Sequence, residues 1–154
     1  MDIVKHLEED HKRIIKTINQ LPAALLKVKQ SLETLLTVSH DLEKELTRHE
    51  KIEDDLLFPA LREKISEQTL QTLTNEHAES KKARDLFMAV LAEVNHLGKN
   101  SPPEKIKEMS NHGYKLMRIL STHLTREDQL LFPMAKSILS NELSEELEKQ
   151  SLNF

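Results

Sequence analysis

The chain of 154 residues has no cysteine and no tryptophan, a single tyrosine and only two glycines. Without thiols it can form no disulfide, no thiolate zinc site, no iron-sulfur cluster and no cysteine nucleophile. So few glycines and aromatic residues leave little material for the turns and pleated surfaces of a sheet fold. No apolar run approaches the length of a membrane span, and the first ten residues are acidic and lack the apolar segment of a signal peptide. The expectation is a soluble cytoplasmic protein with no membrane partner. Basic residues are not gathered into an arm or a face, and the net charge is -4 with mixed signs, which argues against nucleic acid as a partner.

Helix-forming residues are abundant. Apolar residues make up 38% and charged residues 31%, with Leu, Glu and Lys prominent, which is the balance of a helical bundle. The length suits one domain, residues 1–154, with a single core. Apolar residues recur at helical spacing through Ile3, Val4, Leu7, Ile14, Ile15 and Ile18, predicting a first helix over about 2–21 that breaks or kinks at Leu21-Pro22. A second helix over about 31–58 stops by Pro59. Ser66 is placed to cap a third, over about 66–97, with Gly98 as its stop. Ser101-Pro102-Pro103-Glu104 reads as the start of a fourth over about 102–139, with Ser101 as cap. Pro133 breaks or kinks it. Residues 141–150 fit a short fifth helix. Four long helices with short connections predict an all-α, antiparallel up-and-down four-helix bundle.

The chemistry is concentrated in a repeat. His49-Glu-Lys-Ile-Glu-Asp-Asp-Leu-Leu-Phe-Pro59 and His123-Leu-Thr-Arg-Glu-Asp-Gln-Leu-Leu-Phe-Pro133 agree at seven of eleven positions. His-x-x-x-Glu places imidazole and carboxylate on one helix face, about 6 Å apart along the axis, within reach of one ion. A single such pair carries little weight in a chain with eight histidines. Two pairs followed by the same Asp and Leu-Leu-Phe-Pro carry more, and the repeat extends upstream, where Leu7 precedes His11 as Leu73 precedes His77. The candidate ligands are therefore His11, His49, Glu53, His77, His123 and Glu127. Four imidazoles and two carboxylates without thiolates suit iron or manganese in a two-metal carboxylate site, with Glu53 and Glu127 as bridges; zinc also accepts these ligand types.

The other polar residues are weighed individually. His6, His40 and His96 are read as ordinary surface or satisfied histidines. His112 returns to the face of His123 about three turns away and is a candidate for the core or for the layer behind the ligands. Glu50 could turn toward an ion, and Asp54 and Asp128 are read as surface carboxylates or supports of the ligands, either of which could replace its neighbouring Glu. Phe58, Phe132 and the flanking leucines form an apolar wall that keeps bulk water from the site. Met88, Met109, Met117 and Met134 are core filler rather than a copper site.

The repeated His-x-x-x-Glu with Leu-Phe-Pro, the early His11 and the mid-chain Glu76-His77 resemble the hemerythrin-like, or HHE cation-binding, domain family over nearly the whole chain. That resemblance implies an antiparallel four-helix bundle around a non-heme di-iron centre, two iron ions (Fe2+/Fe3+) with an oxo or hydroxo bridge, held by the six candidate ligands. It also implies a small diatomic ligand or peroxide as partner, and oxygen binding or iron handling in a stress response. Oxygen-carrying members have a further histidine where this chain has Leu73, and an aspartate ligand at the position of Asp128, where Glu127 competes. The set of four histidines and two glutamates is closer to bacterial di-iron proteins for iron-sulfur cluster repair, whose cysteine-bearing N-terminal domain has no counterpart in these 154 residues. It is closer also to the iron-sensing domain of an F-box ubiquitin-ligase subunit, in which a glutamate at the position of Glu50 is a ligand. The readings that follow are a di-iron protein reacting with oxygen, peroxide or nitric oxide, a reversible oxygen- or iron-binding module, and a metal-free helical interaction domain.

Overall fold

A computed structural model describes all 154 residues. Helix α1 is Ile3–Leu26. Helix α2 begins as Leu32–Ile52, passes through a π-helical turn at Glu53–Leu57 and ends in the short stretch Phe58–Leu61. Helix α3 is Glu67–Leu97. Helix α4 starts as Pro103–Arg126, widens into a second π-helical turn at Glu127–Leu131 and continues as Phe132–Ile138. Helix α5, Asn141–Ser151, lies across the end of the bundle against α1 and the first π turn. There are no strands. The connections between the four long helices are short, so successive helices run antiparallel, with α1 packed on α2 and α3 on α4.

Local sequence accounts for the helix starts. Asp2, Ser31, Ser66 and Ser140 each accept a hydrogen bond from the backbone N–H three residues on, which satisfies a donor with no partner inside the helix. Gly98, at φ 55°, supplies the turn that ends α3. Two start and stop signals act differently from the sequence expectation. Ser101 does not cap α4; its hydroxyl donates back to the carbonyl of Val94, and Pro102 occupies the cap position. Pro22 does not end α1, which continues to Leu26. A proline inside a helix costs about 3 kcal/mol, but Leu21, Ala24 and Leu25 are buried around it, and each leucine contributes about 1.5–3 kcal/mol by leaving water.

Pro59 likewise does not stop α2, and α4 continues past Pro133 as its expected span to about 139 requires. Each proline lacks an N–H, and in a regular α-helix its ring would press on the carbonyl of Asp55 or Gln129. The π turns relieve this: the N–H of Phe58 reaches the carbonyl of Glu53, and that of Phe132 the carbonyl of Glu127, five residues back. Each wide turn begins at the glutamate of a repeat copy, a setting in which such turns commonly mark functional sites.

The core is in two parts. One cluster is built around Leu21, Leu42, Phe87, Met109 and Leu120. The other is built around Leu7, Ile52, Phe58, Leu73 and Phe132, and includes Leu147 of α5. Within the first, Gly113 lets α4 approach closely, since a Cβ there would lie 3.0 Å from Leu25 and 3.1 Å from Phe87. Along every long helix the candidate histidine sits at the boundary between clusters: His11 between Leu7 and Ile14, His49 between Leu46 and Ile52, His77 between Leu73 and Ala83, His123 between Leu120 and Leu131. A polar layer therefore lies between two dry ones.

Candidate metal centre

Helical spacing points the four histidines and two glutamates inward at one level, and all six are buried. Glu53 and Glu127 are fully enclosed. Their ligand atoms fall into two groups. In one, His11 Nε2 lies 2.9 Å and His49 Nε2 3.4 Å from Glu127 Oε1, and the two nitrogens are 3.1 Å apart. In the other, His123 Nε2 lies 3.1 Å and His77 Nε2 3.5 Å from Glu127 Oε2, with Glu53 Oε1 3.3 Å from His77 Nε2. Glu53 Oε1 is also 3.1 Å from His49 Nε2, which joins the groups a second time. Glu127 belongs to both.

The outward nitrogen of each imidazole is held by a carboxylate on another helix. His49 Nδ1 pairs with Asp10 at 3.3 Å, His77 Nδ1 with Asp54 at 2.8 Å, His123 Nδ1 with Glu76 at 2.8 Å and His11 Nδ1 with Asp128 at 2.9 Å. Since the carboxylates accept, each Nδ1 carries a proton, and each Nε2, when it carries none, offers its lone pair to the interior. Phe132 packs on His11 and Phe58 stacks on His77, with ring centroids 4.8 and 5.4 Å apart, placing an apolar wall beside each group.

Without a cation this arrangement is electrostatically expensive. With Nε2 unprotonated, both oxygens of Glu53, Oε2 of Glu127 and the Nε2 atoms of His77 and His123 are buried without a hydrogen-bond partner, and each such group costs about 1–3 kcal/mol. Protons partly compensate. Burial opposes charge on His123, but hydrogen bonding and attraction to Glu127 outweigh it and carry the imidazole up to about 9. His49 and His77 are raised too: burial opposes their charge, and it is outweighed for His49 by the charge of Glu53 and bonds to Asp10 and Glu127, and for His77 by bonds to Asp54, Glu127 and Glu53. Burial pushes Glu127 up, but hydrogen bonds from the surrounding histidines hold it well below the carboxylate range. Converging lone pairs, buried carboxylates and orphaned atoms fit a metal: two ligand atoms at about 2.1 Å from one ion and a right angle apart lie about 3 Å from each other, close to the spacing of His11 and His49.

The family model for the hemerythrin HHE cation binding domain matches residues 2–135. The chain belongs to this family. A search of curated proteins finds no match. The matched residues thus cover α1 to α3 and all but the last turn of α4, while α5 lies outside them. The hemerythrin-like domain's buried His/Glu groups are able to hold a metal, in keeping with the cation binding that defines the family.

The three further candidates are placed differently. Asp128 turns sideways to His11, leaving Glu127 as the carboxylate that enters the centre. Glu50 is buried, but it accepts a hydrogen bond from Arg84, which also binds Glu43 at 3.0 Å and Ser80 at 2.5 Å; burial raises Glu50 despite the arginine's opposing charge. His112 is half-buried and joins neither group, about 16 Å along the helix from His123 at 1.5 Å per residue. Leu73 is buried in the apolar cluster, one turn before His77.

Sequence reasoning gave no role to Asp10 or Arg84, and used Glu76 only as part of the Glu76-His77 pair. Asp10 and Glu76 have a visible signal, an acid immediately before each early histidine, in Asp10-His11 and Glu76-His77. Arg84 stands seven residues after His77, two turns along the same face. His6, read as an ordinary histidine, bonds Glu148 of α5 at 2.8 Å and lies 3.7 Å from Asp10.

Proposed function

We propose that this hemerythrin-like domain is a non-heme di-iron protein that, once reduced, is oxidised by oxygen, peroxide or nitric oxide, or handles iron, in a stress response. The observation that carries the reading is Glu127, whose two oxygens face two different sets of histidines. A carboxylate so placed suits a bridge between two cations, with His11 and His49 on one side and His77, His123 and Glu53 on the other. Imidazole and carboxylate ligands without thiolate suit iron. Bound iron would supply single-electron chemistry and a place for a small diatomic molecule or peroxide. The chain itself presents the ligand atoms, fixes them through the outer carboxylates and keeps bulk water away with Phe58, Phe132 and the two apolar clusters.

Leu73 supports reaction over reversible carriage. A side chain that cannot coordinate stands where oxygen-carrying relatives are expected to have a further histidine, so neither group gains an extra imidazole. The test is to load the protein with ferrous iron without oxygen, add oxygenated buffer, follow the visible spectrum and then remove the oxygen. The expected result is two irons per chain and prompt, irreversible oxidation to the ferric form. Full return to the ferrous spectrum on deoxygenation would make the protein a reversible carrier instead.

A further inference from the structure

The four carboxylates behind the histidines form a closed ring through the bundle. Asp10 of α1 holds His49 of α2, Asp54 of α2 holds His77 of α3, Glu76 of α3 holds His123 of α4, and Asp128 of α4 holds His11 of α1. Each helix orients the histidine of the next. The two members that precede a histidine also touch arginines: Asp10 pairs with Arg13 and lies 3.8 Å from Arg48, and Glu76 pairs with Arg126. The two that follow a glutamate ligand, Asp54 and Asp128, pair with no lysine or arginine, and each side chain is 44% exposed.

That difference has an electronic consequence. A carboxylate accepting from Nδ1–H increases the basicity of the opposite nitrogen. An arginine on the same carboxylate draws on the same negative charge and weakens the effect, by the attraction between opposite charges in a partly buried setting. We propose that Asp54 and Asp128 are positioning residues that make His77 and His11 the stronger donor in each metal group, while Asp10 and Glu76 chiefly hold the rings of His49 and His123 in place. The two groups are thereby matched, each with one histidine whose carboxylate is paired with arginine and one whose carboxylate is not. The π turns contribute by directing Glu53 and Glu127 inward while their neighbours Asp54 and Asp128 reach the adjoining helix.

This inference rests on the di-iron reading, and its test separates the two. Iron-loaded full-length Asp54→Asn and Asp128→Asn, singly and together, are compared with the parent, with Asp10→Asn and Glu76→Gln, and with Asp55→Asn as a neighbouring surface control. Asparagine keeps an acceptor oxygen and the shape but removes the charge. Iron affinity is expected to fall roughly 10- to 100-fold in each ring variant. The reduction potential should move upward most in Asp54→Asn and Asp128→Asn, because a neutral acceptor supports the ferric charge less, and Asp54→Glu should bring it back. Melting of the metal-free variants checks that they fold, as expected for the half-exposed Asp54 and Asp128. A potential in Asp54→Asn and Asp128→Asn equal to the parent's, or moved no further than in Asp10→Asn, Glu76→Gln or Asp55→Asn, would overturn the proposal while leaving two bound irons intact. A parent that takes up no iron would overturn the di-iron reading with it.

Discussion

The two halves of the bundle, α1 with α2 and α3 with α4, carry the same repeat and yet surround it differently. Each contributes an early histidine, a late histidine and a glutamate four residues after the late one. Each widens into a π turn at that glutamate and continues past a proline. Around this common frame the halves diverge. Asp10 sits among His6, Arg13 and Arg48, with α5 fastened alongside through His6–Glu148 and Ser144, whose hydroxyl accepts from the N–H of Ile3. Glu76 has one arginine partner, Arg126, and borders a cavity of about 240 Å³ lined also by Arg118, Thr122 and His123, smaller than the cavity of about 410 Å³ that Asp10 borders. The comparison teaches that a repeat preserves what chemistry requires of geometry, namely ligand spacing and direction, while the surroundings of each copy are free to differ.

The sharpest way to break the symmetry is at the glutamates. Glu127 faces both groups, whereas Glu53 joins the His77–His123 group and touches only His49 of the other. Glu127→Ala should lose nearly all bound iron by elemental analysis and Glu53→Ala about half or more, with His40→Ala at the parent level. Equal loss from both glutamate variants would mean that the two carboxylates are equivalent.

Protonation sharpens the same comparison in the metal-free protein. The folded-state values of His49, His77 and His123 are raised, so their stabilisation is fully present below the unfolded value near 6.5 and is lost as pH rises through the folded values. For His123, between 6.5 and about 9, the linkage amounts to about 3 kcal/mol at most. Glu127 runs the other way: its value is lowered, so its contribution is present above the unfolded value near 4.5 and fades as pH falls below it. The metal-free protein should be most stable near pH 5–6.5 and melt progressively lower toward pH 9–10. Metal replaces these protons, so iron should raise the melting temperature most at the alkaline end. A melting temperature of the metal-free form that is flat from pH 6 to 10 would contradict the proton-for-metal exchange.

The contribution of α5 to the first half is a packing question. Leu147 is 6% exposed within the apolar cluster beside the site, and Leu147→Ala should cost about 2–3 kcal/mol by denaturant unfolding, with metal content at the parent level. The smallest effect belongs to a position where the repeat copies differ without consequence. Asp55 faces solvent and pairs with Lys51 at 2.8 Å, and its counterpart is Gln129. Asp55→Gln should change stability by less than about 0.5 kcal/mol and leave iron content as it was; a loss of iron would place Asp55 in the support of the site.

The sequence by itself determined the helices, the inward faces and the convergence of His11, His49, Glu53, His77, His123 and Glu127 on one layer. Those features depend on spacing of 3.6 residues per turn and on short connections that reverse direction, both of which are local. What lay outside it is non-local or cooperative. Pro59 reads as a helix stop and Pro22 and Pro133 as breaks or kinks, because the local cost is visible in the sequence and the compensation is not: buried leucines around Pro22, and π turns ahead of Pro59 and Pro133. Asp54 and Asp128 stand in sequence one place beyond a ligand, where surface acid and support of the ligands are equally legible, and only the packing of α2 on α3 and of α4 on α1 decides for support by bringing them to Nδ1 of His77 and His11. Glu50 stands next to a ligand in sequence, yet a buried arginine from another helix claims its carboxylate. A side chain's direction is set by its own helix, but its partner is set by whichever helix packs against it, and that choice is made by the tertiary structure.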